Sequence, residues 1–163
     1  MRVERLTEDH WAELRDIRLR ALREGSAWHA ASLERETGFT ESHWRMRLRS
    51  TPWFVARQPD DVVVGLVSVT SEPGAPPEER HLIGGWVAPE HRGAGAATAL
   101  IGAAEEQARQ DGAPLVSTWL ADGDDAAQRL YERLGYAPSG VRMPIPRDRS
   151  RMEERWVKVV TGK

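Results

Sequence analysis

The 163-residue chain contains no cysteine, which excludes both a disulfide framework and a thiolate nucleophile. Its five histidines are scattered without the spacing of metal ligands, so no metal site is read from them. Neither sign of charge dominates: 23 Lys and Arg against 25 Asp and Glu leave a formal net charge of −2, and the bulk basic footprint of a nucleic-acid binder is missing. No apolar run approaches the roughly 18 residues of a membrane-spanning helix. The opening residues, Met1 to Arg5, lead into an amphipathic stretch instead of the apolar core of a secretion signal. The expectation is a cytoplasmic protein with no nucleic-acid or membrane partner.

What is present suffices for a full core: 40% of the residues are hydrophobic, in a length that suits one domain. No repeat or linker divides the chain, so residues 1–163 are read as a single domain. Trp11, Leu14, Ile17, Ala21 and Leu22 fall on one helical face, with Thr7 as N-cap and Gly25 past the end. A second helix opens near Thr40, carries Trp44 and Leu48 four apart, and is bounded by Pro52. Residues 26–39 read equally as loop or short helix. The β-rich runs Trp53–Arg57 and Val62–Thr70 flank a hairpin turn, Gln58-Pro59-Asp60-Asp61. A proline-bearing loop, Ser71–Glu79, precedes a strand that begins near His81 and ends at Val87.

The next helix carries Ala97, Leu100, Ile101, Ala104 and Ala108 on one face and stops at Asp111-Gly112. Pro114–Ala121 reads as a strand, Asp125–Leu134 as a helix with Gly135 past its end, and Val141–Ile145 and Arg155–Val160 as two closing strands. This order is α+β with a mixed sheet.

Between the strand ending at Val87 and the following helix lies Arg92-Gly93-Ala94-Gly95-Ala96-Ala97-Thr98. Small side chains leave backbone N–H groups uncovered at a helix start, where the helix dipole also favours an anion. By itself the segment reads either as a tight connection or as a phosphate cradle. A Walker loop is excluded because no Gly-Lys-Ser/Thr follows, and a dinucleotide fingerprint because its third glycine would fall on Thr98. The pattern Arg-x-x-Gly-x-Gly/Ala, with Arg92, Gly95 and Ala97 at its defining positions, resembles the acetyl-CoA pyrophosphate loop of the GNAT superfamily of N-acetyltransferases. A second block, Asp124 to Tyr136, is similar to that family's Asn-x-x-Ala-x-x-Leu-Tyr-Glu-x-x-Gly-Phe/Tyr signature, with Asp124 in place of the usual Asn.

The resemblance implies the GNAT fold: a mixed, mostly antiparallel sheet of about seven strands, a V-shaped splay between strands 4 and 5, and about four helices. The splay would fall near Gly84-Gly85 to Val87 and Ser117 to Ala121, and the glycine pair suits a bulge or a close backbone approach there. The resemblance also implies acetyl-CoA as co-substrate, held by Trp86, Val87, Arg92, Gly93, Ala94, Gly95, Ala96, Ala97, Thr98 and Asp124. Asp124 serves as well as Asn for a helix N-cap, but it lacks the amide donors and adds charge near an anionic ligand.

Tyr131 stands where the family carries the tyrosine that faces the thioester sulfur, and a phenol is suited to give a proton to a thiolate. Its competing reading is a packed residue in the stripe Ala127, Leu130, Tyr131, Leu134. His81 lies six residues before Val87, so strict alternation puts both on one strand face, and imidazole is a base suited to neutral pH. The competing reading is a solvated strand end. A backbone N–H near Trp86 and Val87 is the candidate oxyanion donor.

On the acceptor side the candidates are Trp28, Glu34 and Trp119, since aromatic and acidic groups suit a cationic amine. The implied activity is direct transfer of acetyl from acetyl-CoA to a primary amine of a small molecule. The alternatives are acetylation of a protein lysine or N-terminus, and a non-catalytic acyl-CoA-binding regulatory domain. A monomer or a homodimer is expected, with Pro144 and Pro146 interrupting pairing along one candidate edge.

Overall fold

The structure is a computed structural model that describes residues 1–25, 33–146 and 148–161. The chain opens with β1 (Arg2–Arg5), passes through a 3-10 turn at Glu8–His10, and continues into α1 (Trp11–Gly25), α2 (Leu33–Thr37) and α3 (Glu41–Ser50). Then come β2 (Trp53–Arg57), β3 (Val63–Thr70), β4 (Glu79–Val87), a 3-10 turn at Pro89–His91, and α4 (Ala96–Gln110). β5 (Leu115–Ala121), α5 (Asp125–Arg133), β6 (Ala137–Ile145) and β7 (Asp148–Val159) complete the order. Gly25, expected beyond α1, is its last residue.

The seven strands form one sheet in the order β1-β2-β3-β4-β5-β7-β6. Every neighbouring pair is antiparallel except β4 and β5, which run parallel. The alternation of each strand sends apolar residues to two cores. One, beneath α4 and α5, gathers Leu82, Leu100, Ile101, Ala104, Val116, Leu120, Tyr131 and Trp156. The other, beneath α1 and α3, gathers Leu14, Ile17, Trp44, Leu48, Trp53, Val55, Leu66 and Trp86.

Five α-helices stand among the described residues where about four were expected. The additional one is α2, within the segment that read equally as loop or helix. Five residues are too few to hold a helix by its own hydrogen bonds. Its anchor is Glu36, buried with Arg18 and Arg47. Arg18 donates through Nε and Nη2 to the two Glu36 oxygens at 3.0 and 3.1 Å, and Arg47 Nη1 adds a third bond at 2.9 Å.

The last two strands begin earlier than their apolar residues mark, at Ala137 and Asp148 instead of Val141 and Arg155. Most of β6 is exposed, so its outer part carries no buried face and hence no apolar alternation to read.

Candidate active site

β4 and β5 pair over only three positions, Glu79↔Leu115, Arg80↔Val116 and His81↔Ser117. Beyond His81 they part, leaving the edge of β4 from Leu82 to Val87 and that of β5 from Thr118 to Ala121 unpaired with each other. The cause lies in β4. Between Leu66↔Trp86 and Ser68↔Ile83 the register slips by one residue, a bulge that contains Gly84 and Gly85. Gly84 has φ +67, and a Cβ there would meet Arg18 Nη1 at 3.0 Å and the Trp53 ring at 3.1 Å. Only glycine fits both the dihedral and the space.

The bulge reverses the alternation beyond it. Leu82 and Val87 both belong to the α4 side, whereas Trp86 belongs to the α1 side. His81 and Val87, six apart, therefore lie on opposite faces, which corrects the single face that strict alternation predicts. Ala88 N–H bonds to Val64 O at 2.8 Å, so the antiparallel pattern turns the Val87 N–H and C=O toward the splay. Arg92 Nε donates to that Val87 carbonyl at 3.0 Å.

The segment from Arg92 to Thr98 wraps the end of this edge. Gly93 and Gly95 take φ +81 and +88, and a Cβ at either would meet nothing within 4 Å. The conformation demands glycine while the space outside the loop stays open. α4 starts at Ala96 with Gly95 as its N-cap, and the backbone N–H groups of residues 93–98 have no hydrogen-bond acceptor among the described residues. A row of free donors at the positive end of a 15-residue helix is the arrangement a pyrophosphate needs. The loop residues named from sequence thus meet in one open cradle.

α5 sits on the same side. Asp124 caps it, its Oδ1 accepting the Ala127 N–H at 3.2 Å, so this carboxylate serves the helix start. Tyr131 is buried and packs edge to face on Tyr136 with ring centroids 5.1 Å apart. Burial pushes its phenol up to about 12; the nearby Thr118 hydroxyl opposes this, while Glu105 and Asp124 reinforce it. The proton therefore stays on Tyr131 at neutral pH, as a general acid requires.

On the opposite face, His81 is 6% exposed, not a solvated strand end. Its Nδ1 lies 3.0 Å from Ser117 Oγ, and its Nε2 lies 3.6 Å from Glu72 Oε2. Burial lowers the imidazole's pKa and the Glu72 carboxylate works against that. Trp119 Nε1 donates to the same Glu72 oxygen at 3.2 Å, so Trp119, a candidate named from sequence for the acceptor side, joins the His81 group. Glu153 of β7 is held above the usual carboxylate range by burial and by the Glu72 charge.

Of the other two acceptor-side candidates, only Glu34 is described, and it is not joined to this cluster. Glu34 is exposed on α2, and Trp28 lies outside the described residues. Trp86 turns its indole under α1, with the Arg20 guanidinium 5.2 Å above the ring, so only its backbone is available to the splay. Sequence reasoning missed Glu72. It lies in a proline-rich loop and meets Trp119 across 47 residues of chain, with no local pattern to announce the contact.

A family model described as the acetyltransferase (GNAT) family matches residues 6–136. Nourseothricin acetyltransferase is 26% identical with a TM-score of 0.62, over 69% of this chain and 66% of that one, slightly under two thirds of its length. Ribosomal-protein-alanine N-acetyltransferase from Brucella melitensis superposes with a TM-score of 0.74 at 22% identity, covering 98% of this chain and 99% of that one. The structure of yncA from Salmonella typhimurium with its cofactor acetyl-CoA superposes with a TM-score of 0.77 at 17% identity, covering 100% of this chain and 95% of that one. No curated protein matches the chain in sequence.

Proposed function

The chain belongs to the GNAT acetyltransferase family, acyltransferases that use acetyl-CoA, and from that premise we propose that it moves an acetyl group directly to a primary amine of a small molecule. The observation that carries the acceptor class is the lining of the cleft on the α1 face. The Glu72 and Glu153 carboxylates, the Trp119 indole and the His81 imidazole converge there, a set that favours a cationic amine.

The residues around the splay fit the donor. In this reading the 93–98 N–H groups and the Arg92 guanidinium hold the pyrophosphate, and the edges of β4 and β5 accept the pantetheine amides like an added strand. The bound cofactor supplies the activated thioester. The Val87 N–H, turned to the splay, is the donor available to an acyl oxygen. His81 takes one proton from the acceptor's ammonium before attack, and Tyr131 gives one to the departing sulfur and is reprotonated by the second proton that the acceptor nitrogen loses as the amide forms. The chain has no cysteine to carry the acetyl group as a thioester, which supports direct transfer in a ternary complex over a covalent thioester intermediate.

The substrate class is tested by comparing kcat/KM for small primary amines with that for peptides bearing a free N-terminus or lysine. The reading predicts that a small cationic amine is preferred. Preference for a peptide would assign the protein-acetylating alternative instead.

A further inference from the structure

The loop between β3 and β4 sends one carboxylate to the cleft, that of Glu72. The loop turns back on itself there, with the Ala75 N–H on Glu72 O at 3.0 Å. The side chain is 35% exposed, so one side faces solvent. The other is fixed: Oε2 takes the Trp119 indole N–H at 3.2 Å and stands 3.6 Å from His81 Nε2. His81 Nδ1 is directed inward to Ser117 Oγ, on a fully buried serine.

We propose that Glu72 is the positioning residue of His81. Held by Trp119, its carboxylate stands beside Nε2 and stabilises the imidazolium that forms there, while the Ser117 contact at Nδ1 sets the ring. The inference rests on the reading of His81 as base. With Nδ1–H donating to Ser117 Oγ, the Nε2 lone pair is the ring's accepting atom. Proton transfer then turns a neutral ring and an ammonium into an imidazolium and a neutral amine, with Glu72 a carboxylate throughout. The new Nε2–H meets that carboxylate, and the proton leaves along the exposed side of Glu72.

Other charges around His81 do not substitute for Glu72. On β4 itself, Glu79 is paired with Arg155 of β7, and Arg80 is paired with Asp111 beyond α4. The facing residue on β3 is Thr70, and on β5 it is Ser117, both uncharged. Glu153 of β7 is raised by burial and by the Glu72 charge.

The test is an NMR titration of the His81 ring in the full chain without ligands, for the wild type, Glu72→Gln and Trp119→Phe. Glu72→Gln keeps an oxygen for the indole and removes only the charge. It is expected to lower the His81 midpoint by roughly half a unit to one unit, and to move the acid limb of kcat/KM the same way. Trp119→Phe keeps the charge and is expected to shift the midpoint less. An unchanged midpoint in Glu72→Gln, or an equal shift in both variants, would overturn the proposal. A shifted midpoint with no matching limb in kcat/KM would instead overturn the reading of His81 as base.

Discussion

Arg92 Nε donates to the carbonyl oxygen of Val87 at 3.0 Å, so the loop's arginine is fastened to the strand edge that lines the splay. The side chain is otherwise exposed, which leaves its two terminal nitrogens for a phosphate. A charge-assisted hydrogen bond contributes about 1.5–3 kcal/mol. Arg92→Ala should therefore weaken CoA binding by about 10- to 100-fold in calorimetry. Arg92→Lys should recover only part of the loss, because an ammonium cannot hold the carbonyl and a phosphate in a fixed fork.

Gly95 has φ +88 with open space around it, so an alanine there meets no clash and bears only the left-handed conformation. That strain is about 1–2 kcal/mol. Gly95→Ala should lower the Tm by about 2–8 °C, at 2–4 °C per kcal/mol for a chain of this size. It should also weaken CoA binding, since relaxing the strain reorients the free N–H groups. Thermal scans with and without CoA separate the two effects.

A phenol is protonated at neutral pH, burial and the nearby carboxylates raise that of Tyr131 further, and its ring is held by Tyr136. Tyr131→Phe keeps that ring contact and removes the hydroxyl proposed as the acid. In steady-state assays kcat should fall by about 10²–10⁴-fold, with the CoA dissociation constant unchanged. A fall in affinity with kcat preserved would assign Tyr131 to packing.

In the proposed reaction His81 acts as the neutral ring, and burial places its midpoint below the ordinary 6.5. The kcat/KM profile should therefore rise with pH through a midpoint on the acid side of 6.5 and be flat at neutral pH. His81→Ala should remove this limb.

Glu36 is buried between Arg18 and Arg47, and although burial opposes ionisation, the two guanidiniums hold its carboxyl below the ordinary value. A depressed folded pKa contributes stability that is complete above the unfolded carboxylate range and is lost as pH falls through the folded value. Urea unfolding should show that loss on acidification. Glu36→Ala leaves the buried Arg18 guanidinium and the half-buried one of Arg47 without their anion and should cost about 3–5 kcal/mol at neutral pH.

The parts of the fold and site that are contiguous in sequence were legible in it. The loop from Arg92 to Thr98 and the block from Asp124 to Tyr136 each set their geometry locally, through positive-φ glycines and helix starts. The contacts that complete the fold and the candidate site cross the chain. Glu72 reaches Trp119, His81 reaches Ser117 36 residues away, and Glu36 reaches Arg18 across 18. Pattern reading follows period and spacing within an element, so it could not pair these residues. The glycine pair in β4 signalled the bulge, yet the phase change that the bulge imposes on Val87 emerges only once β3 and β4 are in register.

The central claim is acyl transfer from acetyl-CoA to an amine by a cleft that holds Tyr131 and His81 on opposite sides of the splay. Its most direct test measures free CoA and N-acetylated product together when the full chain is incubated with acetyl-CoA and a panel of small primary amines. The account predicts equal amounts of thiol and N-acetyl product from at least one cationic amine, and a sharp loss of both in Tyr131→Phe. Saturable CoA binding with no product from any amine or peptide would contradict it.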